Sequence, residues 1–244
     1  MFNKEFYEKT YLKKFNTFEE AYYDWANSGG LLGKPLYDEQ LKFFYNSQLG
    51  QDQYVINNIF NRKKFGVFLE FGACDGMFLS NTYVLEKYFD WSGLCVEPHP
   101  DYYSQLVNNR KCNKSNKLID SHTGLDVEFS MQENLEVSGI KKYKTNHFYN
   151  DRVINLKTIS LNDILEEYKD IDVIDYLSID TEGSELKILS TFNFDKYKIN
   201  YISIEHGNNI AYKNEIYEFL ISKNFSLHRD IFWDSEFINN NFKG

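Results

Sequence analysis

Four short apolar runs in this sequence carry an acid at or near their ends: Glu70 in VFLEF (67–71), Glu97 in GLCVE (93–97), Asp180 in DYLSID (175–180) and Glu205 in NYISIE (200–205). A carboxylate can hold an ammonium group, accept from a diol, ligate a hard cation or take a proton. One exposed acid at a strand end means little, because a plain strand–turn–helix with solvated acids accounts for it. Four in successive units of one format are harder to ascribe to structure alone.

The first acid opens a glycine corner, Glu70-Phe-Gly-Ala-Cys-Asp-Gly76. Gly72 and Gly76 let backbone approach a ligand closely. The corner lacks GxGxxG spacing, so a pyrophosphate cradle is poorly supported. Glu70 and Asp75, flanking the turn, would repel phosphate and welcome an ammonium group. Glu97, one strand along, could accept hydrogen bonds from a ribose diol. A ligand with a cationic amino-acid end, a ribose and no phosphate is S-adenosylmethionine.

The second pair of acids suits a different task. Asp180 opens D-T-E182-G-S-E185, and Glu205 is followed by His206. Asp180, Glu205 and His206 converging from neighbouring strand ends would suit Mg2+ or Mn2+. Such an ion would lower the pKa of an acceptor hydroxyl and orient it. The rival reading is metal-free, with Glu182 or His206 as general base. Glu185 is expected to face away as a solvated charge.

These residues need elements that bring them to one edge. The four runs read as buried parallel strands. Between them, Asn81 to Phe89 and SELKILSTF have helical spacing, SLND (160–163) resembles a capping box, and Asn214 to Ser222 carries an apolar helical face. The alternation predicts an α/β chain with a mostly parallel sheet, whose ligands bind beyond the carboxyl ends of the strands. Residues 1 to about 35 look helical, and Asp38 to Asn61 reads as one or two further helices. FSLHRDIFWDSEFI reads as two strands joined near Arg229–Asp230, and region 130–152 as a loop or lid.

Bulk properties narrow the classes. Asp and Glu outnumber Lys and Arg 36 to 27, for a formal charge of −9, which disfavours a nucleic-acid partner. No apolar run approaches the ~20 residues that span a bilayer, and the expectation is a soluble, cytoplasmic protein. Cys74, Cys95 and Cys112 have no metal-finger spacing and read as reduced thiols, with Cys95 in the core. His99 reads as a turn residue. The basic clusters Arg62–Lys64 and Lys141, Lys142, Lys144 are solvated faces or could greet a nucleotide diphosphate.

FLEFGACDGMFLSNTYVLE, GLCVEPHPDYYSQLVNNRKC and DYLSIDTEGSELKIL together resemble the FkbM-type methyltransferases, with similarity from SQLGQDQYV (47–55) to YISIEHG and covering roughly residues 45 to 230. The resemblance implies a Rossmann-like class I methyltransferase sheet of seven strands, the last antiparallel, spanning residues 61–244, with residues 1–60 as a helical extension. It implies a cofactor loop of Glu70, Gly72, Asp75 and Gly76, with Glu97 on the ribose. Ser80, Asn81 and Thr82 would open the next helix, where free N–H groups could bind the cofactor carboxylate, unless they simply cap it. Gln51 and Asp52 match the upstream motif and could close over the cofactor or start a helix. Asp180, Glu182, Glu205 and His206 would be the catalytic set. The expected activity is O-methylation of a sugar hydroxyl, nucleotide-linked or in a polysaccharide precursor. Alternatives are a secondary-metabolite or lipid acceptor, or a cofactor-binding protein without turnover. The N-terminal segment could complete a homo-oligomer or cap the acceptor pocket.

Overall fold

The computed structural model describes residues 37–38, 43–132, 137–143, 152–168 and 171–243. The expected helices of residues 1 to about 35 lie outside the described residues. From Asp38 to Asn61, where one or two helices were expected, a helical turn α1 (Gln51–Tyr54) widens into a π-helical turn at Val55–Ile59, but it is preceded by two short paired strands, β1 (Tyr37–Asp38) and β2 (Phe43–Phe44).

The main sheet takes β3 (Val67–Phe71), β4 (Ser92–Val96), β5 (Asn113–Ser115), β10 (Val173–Ile179), β11 (Lys198–Glu205), β12 (Phe225–Ile231) and β13 (Asp234–Asn239). Its seven strands run in the order β12-β13-β11-β10-β3-β4-β5. β13 is antiparallel to both neighbours, and the other pairings are parallel. The last two strands form a hairpin that turns at Phe232–Trp233, a few residues beyond the expected Arg229–Asp230.

Side chains alternate across a strand, so sequence parity assigns each residue to a face. Leu69, Phe71, Leu94, Val96, Leu177, Ile179, Ile202 and Ile204 pack into one apolar cluster. That cluster is completed by Ile164 and Leu165 of α4 (Leu161–Glu167), Ile188 and Leu189 of α5 (Glu185–Ser190), and Ile216 and Leu220 of α6 (Ile210–Ser222). Phe68, Cys95, Tyr176 and Tyr201 pack on the other face with the π-turn, α2 (Tyr83–Phe89) and Leu106 of α3 (Pro100–Asn109). Ser160 caps α4 as its motif predicts, accepting from the Asp163 N–H at 3.1 Å.

Parity places Glu70, Glu97, Asp180 and Glu205 on this second face as well as at one edge. The ladder adds a fifth position, because Glu205 sits opposite Asp234. It continues past the strand ends through Gly72 N to Val96 O and Asp180 N to Phe71 O. The edge therefore presents one row, Glu97, Gly72, Asp180, Glu205 and Asp234, one residue from each of five adjacent strands.

Of the stretch 130–152, expected to be a loop or lid, Ser130–Met131, Gly139–Ile140 and Arg152 belong to a second sheet that lies mostly outside it. β6 (Leu118–Ile119), β7 (Asp126–Met131), β8 (Gly139–Ile140) and β9 (Arg152–Ile159) pair in the order β6-β9-β7-β8 around Leu118, Phe129, Met131 and Ile140. Residues 133–136 and 144–151 of that stretch are outside the described residues. Among the described residues, no helix is long and apolar enough to cross a membrane.

Candidate active site

A cavity of about 240 Å³ follows the edge row, with Glu97 at one end and Asp234 at the other. At the first end, Gly72 has φ +77°, and a Cβ there would lie 1.9 Å from the Asp180 carbonyl oxygen, so only glycine fits between the two strand tips. Gly76 is likewise covered by the Leu106 and Arg110 side chains. Asp75 caps the turn that runs on through Gly76 to Phe78, its Oδ1 accepting from Met77 N and Phe78 N at 2.8 and 2.7 Å. It also lines the cavity.

Glu70 has a different neighbourhood from the expected one. It is buried and accepts from Ser80 Oγ, Asn81 N, Thr82 Oγ1 and Arg110 Nη1. Its charge is met by Arg110, and it also lines the cavity. Ser80 Oγ in turn accepts from Thr82 N and Tyr83 N. The N–H groups expected to receive a cofactor carboxylate are thus already bonded to Glu70 and Ser80. Thr82 is fully buried in this knot, and nothing local in the sequence marks the pairing of Arg110 with a glutamate 40 residues away.

Glu97 and Asn81, which line the same cavity, are less committed to protein partners than Glu70. Each Glu97 oxygen accepts one backbone N–H, from Cys74 at 2.9 Å and His99 at 2.7 Å, and keeps acceptor capacity on the cavity wall. Burial pushes its pKa up to about 7. Asn81 donates to Ser178 Oγ at 2.9 Å, while its buried Oδ1 meets no partner among the described residues.

At the far end, Gln51 reaches the cavity and Asp52 does not. The Gln51 amide is oriented by Leu49 N, which donates to its Oε1 at 2.8 Å, and its Nε2 donates to Asp234 Oδ2 at 2.6 Å. Asp52 is sealed in its own turn, accepting from Asn46 N, Ser47 and Gln53 N.

Asp180, Glu182 and Glu205 each bring a carboxylate oxygen within 4.8 Å of the others. Like charges on adjacent strands repel, and the titration reflects it. Burial, then the charges of Asp180 and Glu182, raise Glu205 well above the usual carboxylate range. Burial and Asp180 also push Asp234 up to about 8. His206 does not join the trio, since one step further along the strand parity turns it to the opposite face. It is buried, neither ring nitrogen meets a partner among the described residues, and burial with Lys213 lowers its pKa, so it is neutral at pH 7. Glu185 is buried too, accepting from Thr181 N, Gly183 N and Tyr212 OH, where a solvated charge was expected.

Residues 70–231 match the family model described as the methyltransferase FkbM domain. The chain belongs to the FkbM methyltransferase family. No curated protein matches it. Similar solved structures include methyltransferase FkbM from Methylobacillus flagellatus KT, at 14% identity and TM-score 0.44, covering 71% of this chain and 43% of that one. The chain thus spans less than half the length of that protein. Precorrin-6y C5,15-methyltransferase from Geobacter metallireducens GS-15 gives 10% identity and TM-score 0.44, covering 84% and 93%. A methyltransferase from Pyrococcus furiosus gives 14% and 0.38, covering 90% and 96%.

The sheet of this FkbM-family chain is the Rossmann-like, seven-stranded class I arrangement with one antiparallel strand near its end. Family membership implies S-adenosylmethionine as the methyl donor. The cavity fits such a donor. Glu97 offers acceptors for a diol, the orphan Asn81 Oδ1 awaits a donor such as an ammonium, Gly72 keeps the wall thin, and the row of acids favours a cation.

Proposed function

We propose that the chain is an S-adenosylmethionine-dependent O-methyltransferase acting on a sugar hydroxyl, nucleotide-linked or in a polysaccharide precursor. Glu97, Asn81 and the Gly72 turn hold the donor at the β3–β4 end, and Asp180, Glu182 and Glu205 prepare the acceptor. The donor supplies an electrophilic methyl group. The chain's own residues orient the hydroxyl toward it and hold the proton that the hydroxyl gives up.

The observation that carries this reading is the carboxylate trio beside Gly72, within 4.8 Å of one another and one strand from the cofactor turn. Three hard oxygen donors at that separation suit Mg2+ or Mn2+, which would make the hydroxyl more acidic. A metal-free reading has its own support, because the hydrogen-bonded Asp180 and Glu205 can share and pass a proton.

The test is incubation with S-adenosylmethionine and a panel of nucleotide sugars, read by mass spectrometry for a product heavier by one methyl-for-hydrogen exchange. Turnover lost on chelation and restored by Mn2+ or Mg2+ assigns the trio to a metal. Turnover indifferent to chelator assigns it to proton transfer. No product from any sugar, with methylation of a lipid or another metabolite, rejects the sugar reading.

A further inference from the structure

We propose that the hairpin turn between β12 and β13, with Gln51 laid over it, is the element that recognises the acceptor: Trp233 supplies the apolar face for a sugar ring, and the Gln51–Asp234 pair takes hydroxyls beside the one that reacts. This rests on the sugar reading above and gives a role to Trp233 and Asp234, which no motif in the sequence marks.

Asp234 is the last member of the edge row and the direct cross-strand neighbour of Glu205. A hydroxyl held at the Asp180–Glu205 pair lies about one strand spacing, ~4.8 Å, from it, which is the width of a sugar ring. The described bonds of Asp234 use Oδ2 alone, for Gln51 Nε2, so Oδ1 keeps its capacity on the cavity wall. Gln51 cannot flip to reverse the pairing, because Leu49 N already occupies its Oε1. Carboxylate and carboxamide side by side present acceptors and donors together, as a diol requires.

Trp233 lines the same end of the cavity and is half-buried. Its backbone is fixed, its carbonyl accepting from His206 N at 2.7 Å, and its ring leans against Phe232 with centroids 5.8 Å apart. A preset aromatic face with a few aimed polar groups is how small-molecule pockets combine affinity with orientation. The placement of Asp234 argues against a purely structural role. A fourth acid buried beside three others costs stability, and a folding role would be better served by a neutral residue.

The test compares wild type with Trp233→Leu and the isosteric Asp234→Asn. It measures kcat and KM for the best sugar acceptor, calorimetric affinity for S-adenosylhomocysteine, and melting temperature as a check of folding. The expected result is an acceptor KM raised about tenfold or more in each variant, the loss of one well-placed polar or apolar contact. S-adenosylhomocysteine affinity should stay within about twofold, because neither residue touches the cofactor end. Folded variants with unchanged acceptor KM overturn the hairpin assignment and leave the sugar reading intact. A wild type that methylates no sugar overturns both, and is told apart by failing before any variant is made.

Discussion

Glu70 Oε2 and Arg110 Nη1 lie 3.1 Å apart, with the arginine side chain wholly buried and the glutamate nearly so. The same guanidinium donates to the Gly76 carbonyl, to Thr82 Oγ1 and to Glu86 Oε2. The turn after β3 and the start of α2 are therefore stapled from behind by one side chain at the end of α3. Removing one partner of a buried pair leaves an uncompensated charge and costs about 3–5 kcal/mol. Arg110→Met should lower urea-measured stability by that amount, and Glu70→Gln in the same background should recover part of it. An unchanged unfolding midpoint for Arg110→Met would show that the staple carries no load.

Gly72 answers to geometry more than to charge. Its φ of +77° disfavours any other residue, and a methyl group would meet the Asp180 carbonyl at 1.9 Å. Gly72→Ala should push β3 and β10 apart at their tips, destabilise the fold by about 1–3 kcal/mol and weaken S-adenosylhomocysteine binding beyond calorimetric detection. Full affinity in a folded Gly72→Ala protein would contradict the close packing of these two strand ends.

The pH dependence of stability follows from the raised acids. An acid whose pKa is raised on folding binds its proton more tightly in the native chain. Its contribution is complete below its ordinary value, 4.5 for Glu97 and 3.8 for Asp234, and fades as pH climbs through about 7 and about 8 respectively. Each tenfold gain in proton affinity is worth about 1.4 kcal/mol, so the loss amounts to several kcal/mol. The unliganded protein should thus melt at progressively lower temperature from about pH 5 to pH 8. Glu97→Gln and Asp234→Asn should each flatten that slope. A melting temperature that rises across this window in wild type would contradict the assignment.

Much of this arrangement was legible in the sequence, and the failures have physical causes. Apolar runs ending in acids identify the strand tips, and parity within each run fixes the shared face. Applying the same parity one residue further would have turned His206 away from Glu205. Val127, Phe129 and Met131 alternate as a strand should, as do Ile154 and Leu156, so β7 and β9 carried a signal that the polar surroundings obscured. Asp234 could also have been found, since the first residue of an antiparallel strand lies at the edge where its parallel neighbours end. Arg110 could not have been found this way. Its partners Glu70 and Glu86 are separated from it by 40 and 24 residues, and only the packed fold brings them together.

Asp180 occupies the centre of the row, and its charge bears on acids to either side. It contributes to the raised pKa values of Glu97, Glu205 and Asp234. Asp180→Asn keeps the shape and removes that charge. At pH 8 the unliganded variant should be more stable than wild type, by on the order of 1–2 kcal/mol for relieved repulsion at a partly solvated site. The same change should reduce turnover by about 100-fold or more, the usual consequence of losing a group that positions or deprotonates the nucleophile. Stabilisation with loss of activity separates a functional acid from a structural one, because a carboxylate that holds the fold together cannot be removed with a gain. If Asp180→Asn melted below wild type and still turned over at the wild-type rate, the row would be scaffolding and the chemistry would have to lie elsewhere along the cavity.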